Sequence, residues 1–349
     1  MLYYILPYIF LLLVTLYFYY NRQIKQIGFF HLFFALFPAF LIAILRGDVG
    51  TDTLNYLGFF EGKLINPEMG EQYEPGFELL GWIMSMTGMS PRFNVALVAV
   101  ITTWILCKSF SRSKPEMMLF SLLIFPMYYW DFTMNGIRYG LSFSIVTIAI
   151  DALYRHKYLR FLILSIIAVS IQYSALLIVL VFLFPLVKKR YLVLIIGGFI
   201  GLLAVLPNAF EFFMTRLYDK QDAYKDLTAP SGLSGLAPLS FFLILYVVFI
   251  VYGKGKFFLL HILLIGEILS FIIARYTYAG LRLQGVFVFA IILFAKNNYK
   301  YIDRPNRYFR YIIVLNFLAF LIFIKNIVVI VPGDRAPFLP YKFYWEEKD

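Results

Sequence analysis

Four arginines stand at the ends of long apolar runs, where a membrane protein would normally avoid positive charge: Arg46, Arg138, Arg275 and Arg282. A charge held near hydrocarbon costs several kcal/mol unless something pairs with it. A single arginine there could simply reach lipid headgroups or a nearby acid. Four arginines and no lysine favour another reason, because the planar guanidinium contacts phosphate through two parallel hydrogen bonds. The set therefore predicts a site for an anion such as phosphate.

Carboxylates follow the first of these arginines in a glycine-containing loop. Asp48 and Asp52 are four residues apart, and Tyr56 comes next. They could take a proton from a hydroxyl, hold a divalent cation, bind sugar hydroxyls or form a solvated acidic loop. Two carboxylates are few for a metal, so we expect no metal ion and no cofactor. Asp131, just before Arg138, could be the ion-pair partner of that arginine.

The elements that must position these residues are membrane helices. The 349 residues are 62% hydrophobic and only 15% charged, far from a soluble average. Repeated apolar runs of roughly 15 to 20 residues have the length of a helix that crosses a bilayer. We predict an all-α, polytopic integral membrane bundle of about 12 transmembrane helices, as a single transmembrane domain over residues 1–349. The runs near 158–171 and 173–187 are counted as two helices.

The charge pattern predicts which side each loop faces. Lysines and arginines concentrate in alternate short loops, and the positive-inside rule places those loops in the cytoplasm. This orientation accounts for the net charge of +11, so no nucleic-acid partner is needed. Two long loops, 46–92 and 207–238, then face outward together with the four arginines. Within the first, the run from Pro75 to Gly88 is predicted as an interfacial or re-entrant helix.

Five short motifs follow one another between about residues 46 and 345: Arg46-Gly47-Asp48-Val49-Gly50-Thr51-Asp52 with Tyr56, Glu74-Pro75-Gly76-Phe77-Glu78, Gly136-Ile137-Arg138, Gln172-Tyr173-Ser174-Ala175, and the turn from Arg275 to Tyr278. As an ordered series they resemble the EpsG/Wzy group of bacterial polysaccharide polymerases. The chain departs from that pattern at Gln172, where the group usually has histidine. A histidine role cannot be carried over, because glutamine only forms hydrogen bonds.

The resemblance implies a glycosyltransferase of the bacterial inner membrane. Such a polymerase joins polyprenyl-diphosphate-linked oligosaccharide units, as donor and acceptor, on the periplasmic face and builds O-antigen or a related surface polysaccharide, such as that of lipopolysaccharide. Its expected partners are these lipid-linked substrates, membrane lipids and a chain-length regulator protein. A flippase or transporter of lipid-linked oligosaccharide and a glycan ligase remain the alternatives.

The residues fit that reaction in three groups. Preplaced guanidinium groups would stabilise the charge that grows on a departing diphosphate, and Arg138, Arg275 and Arg282 are the candidates. Arg46 is a further diphosphate candidate that could also position the loop of Asp48 and Asp52, from which the catalytic base would come. Candidates for glycan binding are Tyr56, Tyr276, Tyr278 and Gln172, although tyrosines are common at any membrane interface.

Overall fold

The computed structural model describes residues 1–24, 26–62, 73–186, 235–254, 257–302, 305–328 and 338–346, and these residues are predominantly helical. We number the α-helices in chain order: α1 Leu2–Tyr20, α2 Phe29–Ile44, α3 Thr53–Phe60, α4 Pro75–Ser85, α5 Pro91–Phe110, α6 Lys114–Leu119, α7 Ile137–Tyr154, α8 Tyr158–Ile171, α9 Ala175–Leu183, α10 Leu236–Tyr252, α11 Phe258–Ile273, α12 Tyr278–Asn298 and α13 Pro305–Val328. Between α6 and α7 the chain continues as π-helical segments, Phe120–Tyr129 and Asp131–Asn135.

Within this described part, five helices are long and apolar enough to cross a membrane. They are α1, α5, α7, the segment Tyr278–Tyr301 that contains α12, and Arg310–Val328 of α13. Four shorter helices, α2, α8, α10 and α11, are also apolar. The predicted all-α membrane class is confirmed, whereas the number of about 12 spans stays a prediction. The predicted split between α8 and α9 is confirmed. Most of the predicted loop 207–238 lies outside the described residues.

The chain divides into two compact units. One comprises Met1–Leu177, Val248–Lys254 and Ile292–Asp349, and the other comprises Ile178–Val247 and Gly255–Ile291. In the first unit, α7 packs against α5 and α8, and α1 packs against α2. Most side chains of α7 are buried, so this helix forms the centre of the unit.

A tight contact fixes the beginning of α7. A Cβ atom on Gly140 would lie 2.2 Å from the backbone oxygen of Phe132, so only glycine fits there. The first turn of α7 therefore sits directly on the π-helical segment before it. This packing sets the place of Arg138, which is the second residue of the helix.

A buried ion pair joins the other end of α7 to α12. The Lys296 ammonium lies 2.7 Å from both carboxylate oxygens of Asp151 and donates to Ser109 Oγ at 2.6 Å. Arg112 also contacts Asp151, at 2.7 Å. The side chains of Asp151 and Lys296 are almost fully buried, so this contact on the predicted inner side is part of the core.

The C-terminal segment Phe338–Glu346 lies against the end of α2. Gly47 donates its backbone N–H to the carbonyl of Lys342, and Tyr344 donates to that of Leu45. The Tyr4 hydroxyl of α1 donates to the Phe338 carbonyl at 2.7 Å. This segment therefore covers the backbone beside Arg46.

Candidate functional site

Arg138 forms an ion pair with an acid that is 64 residues away in the chain. Its Nη1 atom lies 2.7 Å from Glu74 Oε2, and the side chains of Glu74 and Arg138 are 6% and 26% exposed. Glu74 is the residue that precedes α4. The Tyr73 ring centroid lies 4.8 Å from Arg138 Cζ. The carboxylate and the ring thus contact the guanidinium of a side chain that is about a quarter exposed.

Tyr56 lies beside the Arg138–Glu74 ion pair. It belongs to α3, a helix within the segment 46–92 that was predicted as a loop. The backbone of Arg138 forms a hydrogen bond with the Tyr56 hydroxyl. Burial, aided by the nearby charge of Asp52, raises the pKa of Tyr56 well above its usual range, against the opposing effect of Arg138. Tyr56 is therefore a neutral hydroxyl at physiological pH. Its ring centroid is 6.4 Å from that of Tyr73.

The break between α8 and α9 also reaches Glu74. Gln172 ends α8 in an extended conformation, and the Tyr173 backbone N–H lies 3.5 Å from Glu74 Oε1. A Cβ atom on Gly76 would lie 2.2 Å from Ser170 Oγ, so α4 packs closely on the end of α8. Three motifs that are distant in sequence therefore meet at one carboxylate.

The two loop carboxylates have different surroundings. Asp48 Oδ1 accepts a hydrogen bond from Arg92 at 3.2 Å. Asp52 accepts one from Thr51 Oγ1, and the same hydroxyl donates to Asn135 Oδ1 at 2.7 Å. Asn135 stands three residues before Arg138, so Asp52 lies on the Arg138 side of the loop. Asp48 instead belongs with the first turn of α5.

Arg46 is buried beneath the same loop. Only 5% of the residue is exposed, and its Nη1 atom donates to the backbone carbonyl of Thr133. Burial lowers the pKa of Arg46 to about 10, so the guanidinium is still charged at neutral pH. The contact ties the end of α2 to the segment before α7, and the positioning role of Arg46 stays a prediction.

The remaining arginines belong to the second unit, where the predicted aromatic turn is found between α11 and α12. Arg275 Cζ lies 4.3 Å from the Phe271 ring centroid, and Arg282 Cζ lies 5.7 Å from that of Tyr278. Tyr276 is 77% exposed. That Arg275 and Arg282 share a ligand with Arg138 stays a prediction.

Two contacts of this site were not predicted from the sequence: that of Glu74 with Arg138 and that of Arg92 with Asp48. Asp131, the acid predicted as a possible partner of Arg138, accepts a hydrogen bond from Asn135 Nδ2 at 3.0 Å, while Glu74 forms the ion pair shown above. Glu74 carried one usable signal, because it is an acid placed directly before a proline that opens a helix. Arg92 gave no such signal.

The chain is similar to a known protein family. The family model described as the EpsG family matches residues 29–343, a range that includes α2 to α13 and every residue of the site. Neither a curated protein nor a solved structure matches the chain.

Proposed function

Because the chain belongs to the EpsG family, we propose that it is a polymerase of surface polysaccharide that uses lipid-linked substrates. It joins polyprenyl-diphosphate-linked oligosaccharide repeat units on the periplasmic face of the bacterial inner membrane and builds O-antigen or a related polymer. A separate protein regulates the length of that polymer.

The observation that carries this proposal is the guanidinium of Arg138, which is held by Glu74 and Tyr73 at the outer end of an apolar helix. A donor diphosphate gains negative charge as its glycosidic bond breaks. A cation that is already in position stabilises this charge without reorganising during the reaction. Glu74 fixes the position of the Arg138 guanidinium. One of its carboxylate oxygens accepts a hydrogen bond from Arg138, and the other lies beside the Tyr173 backbone amide.

The reaction forms one bond and breaks one bond at the same carbon. An acceptor sugar hydroxyl attacks the anomeric carbon of the donor, and the bond from that carbon to the diphosphate oxygen breaks. The lipid diphosphate leaves with the bonding electrons, and the hydroxyl proton passes to a carboxylate. We assign this base to Asp52, because its charge acts on Tyr56, the tyrosine that lies beside Arg138.

The test uses a deletion strain that is complemented with Arg138→Ala or Arg275→Ala. Both variants should lose long-chain polysaccharide while protein level and single-unit glycan stay normal. Arg160→Ala is the matched control, since Arg160 is an exposed arginine of α8 on the predicted inner side. Normal long chains in both variants would refute the arginine mechanism.

The glycan pattern of the deletion strain separates the alternatives. A missing polymerase leaves one repeat unit on the final acceptor. Complete polymer retained on polyprenyl diphosphate would indicate a ligase instead, and repeat units accumulating on the cytoplasmic face would indicate a flippase.

A further inference from the structure

Helix α11 contains a single acid within a mostly apolar sequence. This residue, Glu267, is completely buried, and its Oε1 atom accepts a hydrogen bond of 2.8 Å from Nε2 of Gln284 in α12. The same nitrogen donates to the backbone carbonyl of Gly235, directly before α10, at 3.1 Å. Gln284 is also completely buried. Three elements of the second unit therefore meet at the Glu267–Gln284 pair.

Close packing holds α11 against α12 beside this pair. A Cβ atom on Gly266 would overlap the ring of Phe287, so α11 has room only for glycine at the position before the acid. Nearer to the turn between the two helices, a Cβ atom on Gly280 would overlap the backbone of Ala274. The two helices thus form a tight hairpin, and the Glu267–Gln284 pair is its buried polar contact.

Two oxygen atoms of the pair have no hydrogen-bond partner within the described residues: Glu267 Oε2 and Gln284 Oε1. If the carboxyl group were ionised, neither could satisfy the other, because both would be acceptors. The ion pairs of the described residues do not include Glu267, and a buried carboxylate without a cation is costly. One proton on Oε2 turns this oxygen into a donor. A neutral acid and a primary amide can then form two hydrogen bonds side by side.

We propose that Glu267 keeps its proton at neutral pH, binds Gln284 through this double hydrogen bond and thereby positions Arg275 and Arg282. Glu267 lies six residues before the end of α11, and Gln284 lies six residues after the start of α12, which is roughly 9 Å from the turn on each helix. Arg275 belongs to that turn, and Arg282 is two residues before Gln284. For the ligand of these arginines, the inference rests on the proposed function.

Infrared spectroscopy of the purified full-length protein tests the protonation directly. The carbonyl stretch of a protonated carboxyl group should be present in the wild-type spectrum at neutral pH and should lose intensity in Glu267→Gln. Glu61→Gln is the matched control, because Glu61 is an exposed glutamate at the end of α3, and it should leave the band unchanged. A band that is the same in wild type and Glu267→Gln would overturn the proposal, since the acid would then be ionised.

Hydrogen exchange of the backbone amides in the segment 274–280 tests the positioning without any substrate. Glu267→Leu and Gln284→Leu each break the pair and should speed exchange in this segment by roughly tenfold. Glu267→Gln should leave it near the wild-type rate, because an amide can both accept from Gln284 and donate to it. Unchanged exchange in both leucine variants would overturn the positioning role. Equal acceleration in Glu267→Gln and Glu267→Leu would also overturn the proposal, because the carboxyl group would then act through its charge.

Binding of polyprenyl diphosphate to the same protein in detergent separates this inference from the proposed function. Gln284→Leu should raise the dissociation constant by roughly tenfold, as Arg275→Ala does, and the two changes combined should raise it little further. If Arg275→Ala leaves binding unchanged while the infrared and exchange results are as expected, the positioning of the turn is supported and the diphosphate assignment fails. Glu267→Gln keeps the infrared test decisive if a leucine variant does not fold, because it replaces only one hydroxyl group by an amino group.

Discussion

Replacing Glu74 by glutamine tests whether its negative charge fixes Arg138. At 2.7 Å, an effective dielectric constant of 20 gives an attraction of about 6 kcal/mol, an upper bound from which desolvation must be subtracted. Because about a quarter of the Arg138 side chain is exposed, we expect a net coupling of about 2 kcal/mol. Glu74→Gln keeps the shape of the side chain, so its effect reports on charge and not on packing.

The assay is a double-mutant cycle of Glu74→Gln, Arg138→Gln and the combined variant. Each single change should lower the midpoint of thermal unfolding in detergent by roughly 4 °C, and the combined change should lower it little further. Polymer yield should fall in all three variants. Arg138→Lys should not restore it, since a lysine lacks the planar fork. Midpoint shifts that simply add would refute the inference that Glu74 acts through Arg138.

Two further predictions follow from other contacts. Asp52→Asn should slow elongation in isolated membranes by roughly 100-fold or more, as expected for loss of a general base. Asp48→Asn should have a much smaller effect, because that carboxylate pairs with Arg92. Equal elongation rates in the two variants would refute the assignment of Asp52 as the base. Asp151→Asn or Lys296→Met alone should destabilise the protein by about 3–5 kcal/mol, while Asp151→Leu combined with Lys296→Met should cost less than either change. Unfolding midpoints of purified variants check this, and a double variant less stable than both singles would contradict it.

The sequence predicted the parts of the fold that depend on local pattern. Hydropathy located apolar helices that the structure describes, and the split between α8 and α9 followed from placing Lys188 to Arg190 on the cytoplasmic side. Pro75 marked the start of α4, and glycine before Ile137 marked the start of α7. Helix α3 was missed because it has only eight residues and follows a loop rich in glycine and aspartate. So short a helix depends on tertiary packing, here against α4 and α5.

Contacts between distant residues could not be predicted in this way. The sequence predicts that Arg138 binds an anion and that Asp131 could be its ion-pair partner. Without a fold, only acids close to Arg138 in the sequence can be considered as partners. Glu74 reaches Arg138 through the close packing of Gly76 on Ser170, a contact across 94 residues. Lys296 follows an apolar run and could lie either in a loop or in the core, and the structure buries it against Asp151. Net charge and hydropathy do not distinguish these two placements.

Helix α7 explains why the ion pair with Glu74 is enough to hold the Arg138 guanidinium in position. Arg138 and Asp151 are 13 residues apart on one continuous helix, which corresponds to roughly 20 Å. The end at Asp151 is held by Lys296 and Arg112, and the end at Arg138 is held where Gly140 meets Phe132. With both ends of the backbone fixed, the remaining freedom lies in the Arg138 side chain. Glu74 only has to restrict the rotamers of Arg138. Replacing Glu74 should therefore lower the rate of polymerisation while leaving the fold largely unchanged.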